Sequence, residues 1–404
     1  MEKAFDYQLH NERVKVVWNS YHKGAPVKVP LTLGICPVWM MKNKTVNPEN
    51  MAVKELFLNP EAMWEYMFRI EDFRRHYIME DSEKGLPQEG WEVALDYGNF
   101  VEAAWYGAEV VFHDTQIAPS TMPFLNDDNK NMLFEKGIPD PFSGFLETIK
   151  NRFEYYLETK KGFTYKGMPV KKVMPTWTCI STDGPFTVAC NIRGADSICM
   201  DLVLDPDYAH QLLDYITESI IIKVKAWRKY IKETVGVDLS TGFGMGDDSI
   251  VLLSNQMYEN DIMPYHKRIY DELANGGDRG IHLCGDSSRF FGTLMENVGV
   301  KFFDTGFPIN HAKMCEQLGP DFQMNGGAYI TSLQSGNRSQ IEEELDREVR
   351  RILKSGINKR FCLTGGNTTS PGTPPDYFRQ IYAISMECAY KPDELPGYRD
   401  FVKA

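Results

Sequence analysis

The sequence has no apolar stretch of about 18 residues, the length a helix needs to cross a bilayer. Its first residues, Met1-Glu2-Lys3-Ala4-Phe5-Asp6, are polar and mixed in charge and carry no apolar signal core. Together these absences predict a cytoplasmic protein that does not engage a membrane. Basic residues are not in excess: 44 Lys and Arg stand against 56 Asp and Glu, a formal charge of −12. No basic field therefore offers itself to nucleic acid or to anionic lipid. There is no Cys-x-x-Cys pair. The eight cysteines, at 36, 179, 190, 199, 284, 315, 362 and 388, are scattered, which excludes a dense disulfide framework. They read as a reduced thiol set from which one or two could ligate metal. No linker rich in Gly, Pro or Ser and no low-complexity block divides the chain, so 1–404 is expected to be one domain.

What is present is 43% hydrophobic residues, enough for a large core, and an alternation of short β-like runs with longer segments of helical period. Strands are expected at 27–34, 93–97, 109–113, 172–177, 237–242, 279–284, 301–304, 322–325 and 360–364. Helices are expected at 60–76, 140–160, 206–235, 256–275, 286–297, 309–318, 339–355 and 374–390. Asp205-Pro206 and Thr373-Pro374-Pro375-Asp376 are helix-start signals, an acceptor followed by proline at the first helical position. Eight strands each trailed by a helix close as a (β/α)8 TIM barrel, here with an N-terminal extension, and place function at the strand C-terminal ends.

Three strand ends carry reactive or polar residues: Gly246-Asp247-Asp248, His282-Leu283-Cys284-Gly285, and Gly365-Gly366-Asn367-Thr368-Thr369. Alternation along a strand points His282 and Cys284 to the same side. Imidazole and thiolate are the usual zinc ligands, although a buried Cys beside a hydrogen-bonded His is the ordinary structural alternative for such a pair alone. Asp247 and Asp248 are candidate catalytic carboxylates; their structural alternative is helix capping. Trp39-Met40-Met41, Phe112-His113, Trp177 and Phe307 are candidates for a pocket lining, and Tyr97 is a weaker one.

Several segments, in the same order, resemble the uroporphyrinogen decarboxylase superfamily, which includes zinc-dependent methylcobamide:coenzyme M methyltransferases and corrinoid-linked demethylases, and the likeness as a whole covers about residues 10–395. They are Gly184-Pro185-Phe186, Arg193-Gly194, Asp205-Pro206, Gly246-Asp247-Asp248, Tyr258, Pro264-Tyr265-His266-Lys267-Arg268-Ile269, His282-x-Cys284-Gly285 and Thr373-Pro374-Pro375. The resemblance implies a (β/α)8 barrel and, often, a homodimer. The decarboxylases of that family use an N-terminal arginine-rich stretch to hold substrate carboxylates. Here the similar segment, Pro37-Val38-Trp39-Met40-Met41-Lys42, has Lys42 where the first arginine would stand and lacks the second. Lysine cannot reproduce the bidentate clamp.

The methyltransferase branch is the closer match, because its zinc is held by a His-x-Cys pair plus a late Cys. The resemblance makes His282 and Cys284 the metal ligands and leaves the third open, since Asn367 stands at the late-Cys position. Cys362 lies five residues earlier, and Asp247, Asp248 and Asp261 precede His282 at spacings that loosely follow a carboxylate-containing zinc pattern. The implied function is a zinc methyltransferase passing a methyl group between a small O-, N- or S-methyl substrate and cobalamin carried by a partner corrinoid protein. A metal-free decarboxylase-like lyase anchored by Asp247 or Asp248, and a barrel that binds without turnover, are the competing readings.

Overall fold

The computed structural model describes residues 5–34, 37–112, 118–306, 309–319, 322–327, 337–354, 360–364 and 374–399. Eight barrel strands follow the chain: β1 (Leu31–Thr32), β2 (Trp91–Ala94), β3 (Met168–Met174), β4 (Phe243–Gly246), β5 (Arg279–Leu283), β6 (Phe302–Thr305), β7 (Gln323–Gly327) and β8 (Phe361–Thr364). Strands β1, β8, β7, β6, β5 and β4 hydrogen-bond in that order, all in parallel. β3 pairs in parallel with β2, and past its end Asp183 bridges in parallel to Gly246 of β4. The architecture is a (β/α)8 barrel, as expected from the alternation of elements.

β1 is short because its other edge is met mainly by side chains. Leu31 N–H donates to the Asp81 carboxylate at 2.8 Å, Leu33 N–H to Glu80 at 2.7 Å, and Asp81 N–H returns to Leu31 O at 2.8 Å. These carboxylates take up donors that a neighbouring strand would otherwise satisfy. Lys28 and Asp81 form a fully buried ion pair beneath them.

Two expected strands fall elsewhere. The run 237–242 is a turn, with Ser240 N–H donating to Asp238 Oδ1 at 2.9 Å, and the strand begins one residue later at Phe243. Within 109–113, Val110–Val111 pairs antiparallel with Ser120–Thr121 in a hairpin rather than joining the parallel barrel. An N-terminal helix not anticipated from the sequence, α1 (Tyr7–His22), is capped by Asp6 accepting from Leu9 N–H at 3.0 Å.

Helix α2 (Pro60–Tyr77) agrees with the sequence expectation to within one residue. Helix α3 (Pro185–Arg193) follows Asp183-Gly184 directly. The longest helix, α4 (Pro206–Val235), keeps both expected ends. Asp205 caps it ahead of Pro206, and Gly236 closes it at φ +72°, a left-handed conformation that glycine adopts without a Cβ clash. Leu212, Leu213, Ile216, Ile220, Val224, Trp227 and Ile231 recur at helical spacing and are buried. At about 1.5–3 kcal/mol for each fully buried large apolar side chain, this stripe holds α4 on the barrel. Lys223 interrupts it. Its buried ammonium donates to Glu102 at 2.9 Å and to Thr178 O at 2.8 Å, tying α4 to the segment that leads to Asp183. One buried apolar cluster runs from Val17 to Leu395. No described helix is long and apolar enough to cross a membrane.

Two buried histidines make a pH prediction. Burial holds His10 and His311 at about 4, below the usual 6.5. Between those values the unfolded chain binds protons that the fold does not, so stability is lost as pH falls from about 6.5 towards 4. At ~1.36 kcal/mol per pKa unit the loss approaches about 3 kcal/mol per histidine. Urea midpoints at pH 7 and pH 5 will show the fall, which should be shallower in His311→Asn.

Candidate metal centre

Strand β5 alternates: Ile281 and Leu283 are buried, while His282 and Cys284 are part-exposed and line a cavity of about 480 Å³. Lateral register builds the rest of the wall. Asp183, Gly246, His282, Asp304 and Asn325 lie side by side across adjacent strands, and all five line the cavity. Gly244, Gly246 and Gly280 contribute no side chain where the others need room. Trp177 and Phe302 supply apolar walls, with Met245 and Ile281 in the strands behind, and no lysine or arginine is among the described lining residues.

His282 is held at both nitrogens. Its Nδ1 lies 2.6 Å from Asp304 Oδ2, and its Nε2 lies 3.1 Å from Cys284 Sγ and 3.8 Å from Asp248 Oδ1. Asp248 Oδ1 in turn accepts the Cys284 amide at 2.5 Å. Burial alone would lower the His282 pKa. The hydrogen bonds to Asp304 and Cys284 and the charges of Asp248 and Asp304 overturn it, raising the imidazole to about 11.

One oxygen, one nitrogen and one sulfur donor, from Asp248, His282 and Cys284, come within 4.8 Å of one another. This donor set fits zinc with three protein ligands and an open position. A metal would displace the proton at Nε2, and the Nδ1–H donated to Asp304 then gives the carboxylate–histidine arrangement that orients metal-bound imidazoles. Removing that support is expected to weaken metal binding by ~10–100-fold in Asp304→Asn, measured by chelator competition on protein shown to be folded by circular dichroism.

The other sequence candidates separate. Asp247 is fully buried and absent from the cavity lining. Its carboxylate accepts from Thr187 N and Thr187 Oγ1, both at 2.7 Å, and from Phe186 N at 3.4 Å, and it contacts His266 Nε2 at 2.7 Å. It thus caps α3 from outside that helix. Gly184 leaves the space, since a Cβ there would stand 2.4 Å from Asp247 Oδ2. Tyr258 extends the network to His266 Nδ1 at 3.2 Å. Asp261 lies beside His210, 3.4 Å away, outside the three-donor cluster.

Cys362 is buried, its thiol pushed up to about 12 by desolvation and 3.6 Å from Thr32 Oγ1. That suits a structural thiol and not a thiolate ligand. Asn367, His113, Phe307 and Thr373 lie outside the described residues. Trp177 lines the cavity as expected, whereas Met40, Met41 and Tyr97 are buried in the core and Phe112 packs on Phe57. Asp183 and Asp304 were not singled out from the sequence. The available signal was an acid at a strand end: Asp304 closes the expected strand 301–304, and Asp183 precedes Gly184-Pro185.

Comparison with known proteins agrees with this architecture. A solved methyltransferase from Methanosarcina mazei superposes with a TM-score of 0.61 at 19% identity, over 93% of this chain and 98% of that one, which supports the fold. The methylated-thiol–coenzyme M methyltransferase of Methanosarcina mazei is 24% identical over 217 residues, 54% of this chain and 53% of that protein. The chain thus spans about half the length of this curated relative. The model of the uroporphyrinogen decarboxylase (URO-D) family matches residues 100–385, which include α3, β4 through β8 and every member of the three-donor cluster, and the chain belongs to that family.

Proposed function

We propose that this protein is a zinc-dependent methyltransferase that moves a methyl group between a small methylated molecule and a corrinoid protein. The observation that carries the reading is the Asp248–His282–Cys284 cluster, backed by Asp304, on the wall of a cavity with apolar sides. Bound there, zinc supplies Lewis acidity, which polarises a leaving heteroatom or keeps an acceptor thiol in its nucleophilic form. The protein's own groups do the rest. Asp304 fixes the His282 ring, and the Cys284 amide fixes Asp248. Trp177 and Phe302 limit water around the reacting carbon. Asp247 is a positioning residue: its backbone N–H donates to His282 O at 3.2 Å and its anchored carboxylate sets where Asp248 stands.

The relative acting on methylated thiols makes a methyl thioether the first substrate class to test. The methyl acceptor would be a cobalt(I) corrinoid on a separate protein, a partnership that suits the reducing cytoplasm. The lyase alternative, acting on a carboxylated substrate, is less well supported. Such a substrate calls for cationic partners, and the described cavity wall presents three carboxylates and neither lysine nor arginine.

The test is protein purified without chelator or metal-affinity tag. It is analysed for metal and assayed for methyl transfer from dimethyl sulfide and from aryl methyl thioethers to free cob(I)alamin, followed by cobalt absorbance. About one zinc per chain with transfer supports the reading. No zinc after reconstitution overturns it.

A further inference from the structure

Asp183 is a buried carboxylate on the cavity wall that the metal cluster does not use. It is 5% exposed, and among the described residues its Oδ2 is buried without a hydrogen-bond partner. The backbone on both sides is fixed: Gly246 N–H donates to Thr182 O at 3.1 Å, and Gly184 N–H donates to Gly246 O at 2.5 Å. Asp183 is therefore clamped to β4 just before α3 begins, in the same lateral row as His282 and Asp304. Gly246 separates it from His282. A Cβ on that glycine would stand 3.7 Å from Asp183 Oδ1 and 3.7 Å from the His282 ring, so the bare glycine opens the gap between them.

We propose that Asp183 is the acid of this pocket: its carboxyl O–H donates to the heteroatom that gives up its methyl group, and passes the proton to that atom as the carbon leaves. This rests on the methyl-transfer reading. The bond between methyl carbon and heteroatom breaks, and its electron pair stays on the heteroatom. The carbon forms its new bond with the electron pair of the cobalt(I) corrinoid. The Asp183 proton goes to the heteroatom, and the resulting Asp183 carboxylate is reprotonated from solvent. A proton is needed only where the leaving atom would otherwise depart as an anion. The substrate class is therefore a neutral methyl donor, a thioether or ether, and not a sulfonium or quaternary ammonium ion.

The surroundings favour the acid form. Burial raises the carboxyl well above its usual range, the negative charge of Glu102 adds to that, and so do Asp248, until a metal takes up its charge, and Asp247. Lys223 opposes them but is engaged by Glu102 and by the carbonyls of Thr178 and Ser181. Among the described residues no protein group pairs with Oδ2, so a proton on this carboxyl finds its partner in what fills the cavity that Asp183 lines.

The experiment compares zinc-loaded wild type, Asp183→Asn and Asp183→Glu. In infrared difference spectra at pH 7, wild type should show a carboxylic-acid carbonyl band that Asp183→Asn lacks and that dimethyl sulfide displaces. With ring-substituted aryl methyl thioethers, Asp183→Asn should slow methyl transfer by ~100-fold for the least acidic leaving thiol. The deficit should shrink towards none for the most acidic thiol, with zinc content unchanged and partial rescue in Asp183→Glu. A deficit equal across the series marks a merely structural role and overturns the proposal, as does an ionised Asp183 at pH 7. If wild type transfers no methyl group at all, the methyltransferase reading falls separately. The infrared response to dimethyl sulfide then decides whether Asp183 is a ligand-facing acid, and an unmoved band rejects it.

Discussion

Cys284→Ala and His282→Ala proteins should purify with almost no zinc where wild type holds about one ion per chain, and methyl transfer should fall by ~10³-fold or more. Each substitution removes one of three donors, and the remaining pair cannot keep an ion against water and chelating buffers. Fold loss does not account for this outcome, because both side chains border the cavity and neither belongs to the apolar cluster that holds the barrel. Far-UV circular dichroism should therefore show both variants folded, while urea midpoints fall only by what bound zinc and the His282–Asp304 pair contribute. Cys362→Ala is the matched control. It deletes a thiol from β8 that is buried, outside the cavity lining and held in its protonated form, so zinc content should not change. Full zinc retention in Cys284→Ala would remove the thiolate from the site and with it the assignment of the cluster.

The legible part of this fold is what local chemistry dictates. Helix α4 was readable because an Asp-Pro start acts within a few residues of the helix it opens and helical period carries the segment to residue 235. His282 and Cys284 were readable because strand alternation is a property of the chain itself. Asp304 and Asp183 were not. They reach the site through lateral pairing between strands, β6 to β5 and the bridge at Gly246, and no spacing along the sequence records that register. The same limit explains β1, whose edge partners are the Glu80 and Asp81 side chains some 50 residues away. It also explains 237–242, where the Asp238 side chain outcompetes the ladder by capping its own turn. Adjacent carboxylates at 247 and 248 looked equivalent in sequence. Only the packing separates them, one turned into the protein against α3 and the other towards the cavity.

That separation gives the second large effect. Asp247→Ala is expected to destabilise the protein by about 3–5 kcal/mol, a substantial share of the ~5–15 kcal/mol that holds a typical domain folded. The substitution strands the buried Phe186 amide and His266 ring, and takes the acceptor from the amide and hydroxyl of the part-exposed Thr187 at the start of α3. Each orphaned donor costs about 1–3 kcal/mol, tempered by whatever relaxation the cavity allows. Asp247→Asn should be milder. Its amide oxygen can still accept from the Thr187 amide, and its NH2 can face a His266 whose proton has moved to Nδ1, towards Tyr258. Urea unfolding of the two variants should thus rank Ala well below Asn and Asn below wild type. A directly catalytic Asp247 gives the opposite pattern: both variants as stable as wild type and both inactive. Loss of stability with zinc affinity falling in step would identify Asp247 as the residue that, by anchoring α3 to β4, holds Asp248 where a metal needs it.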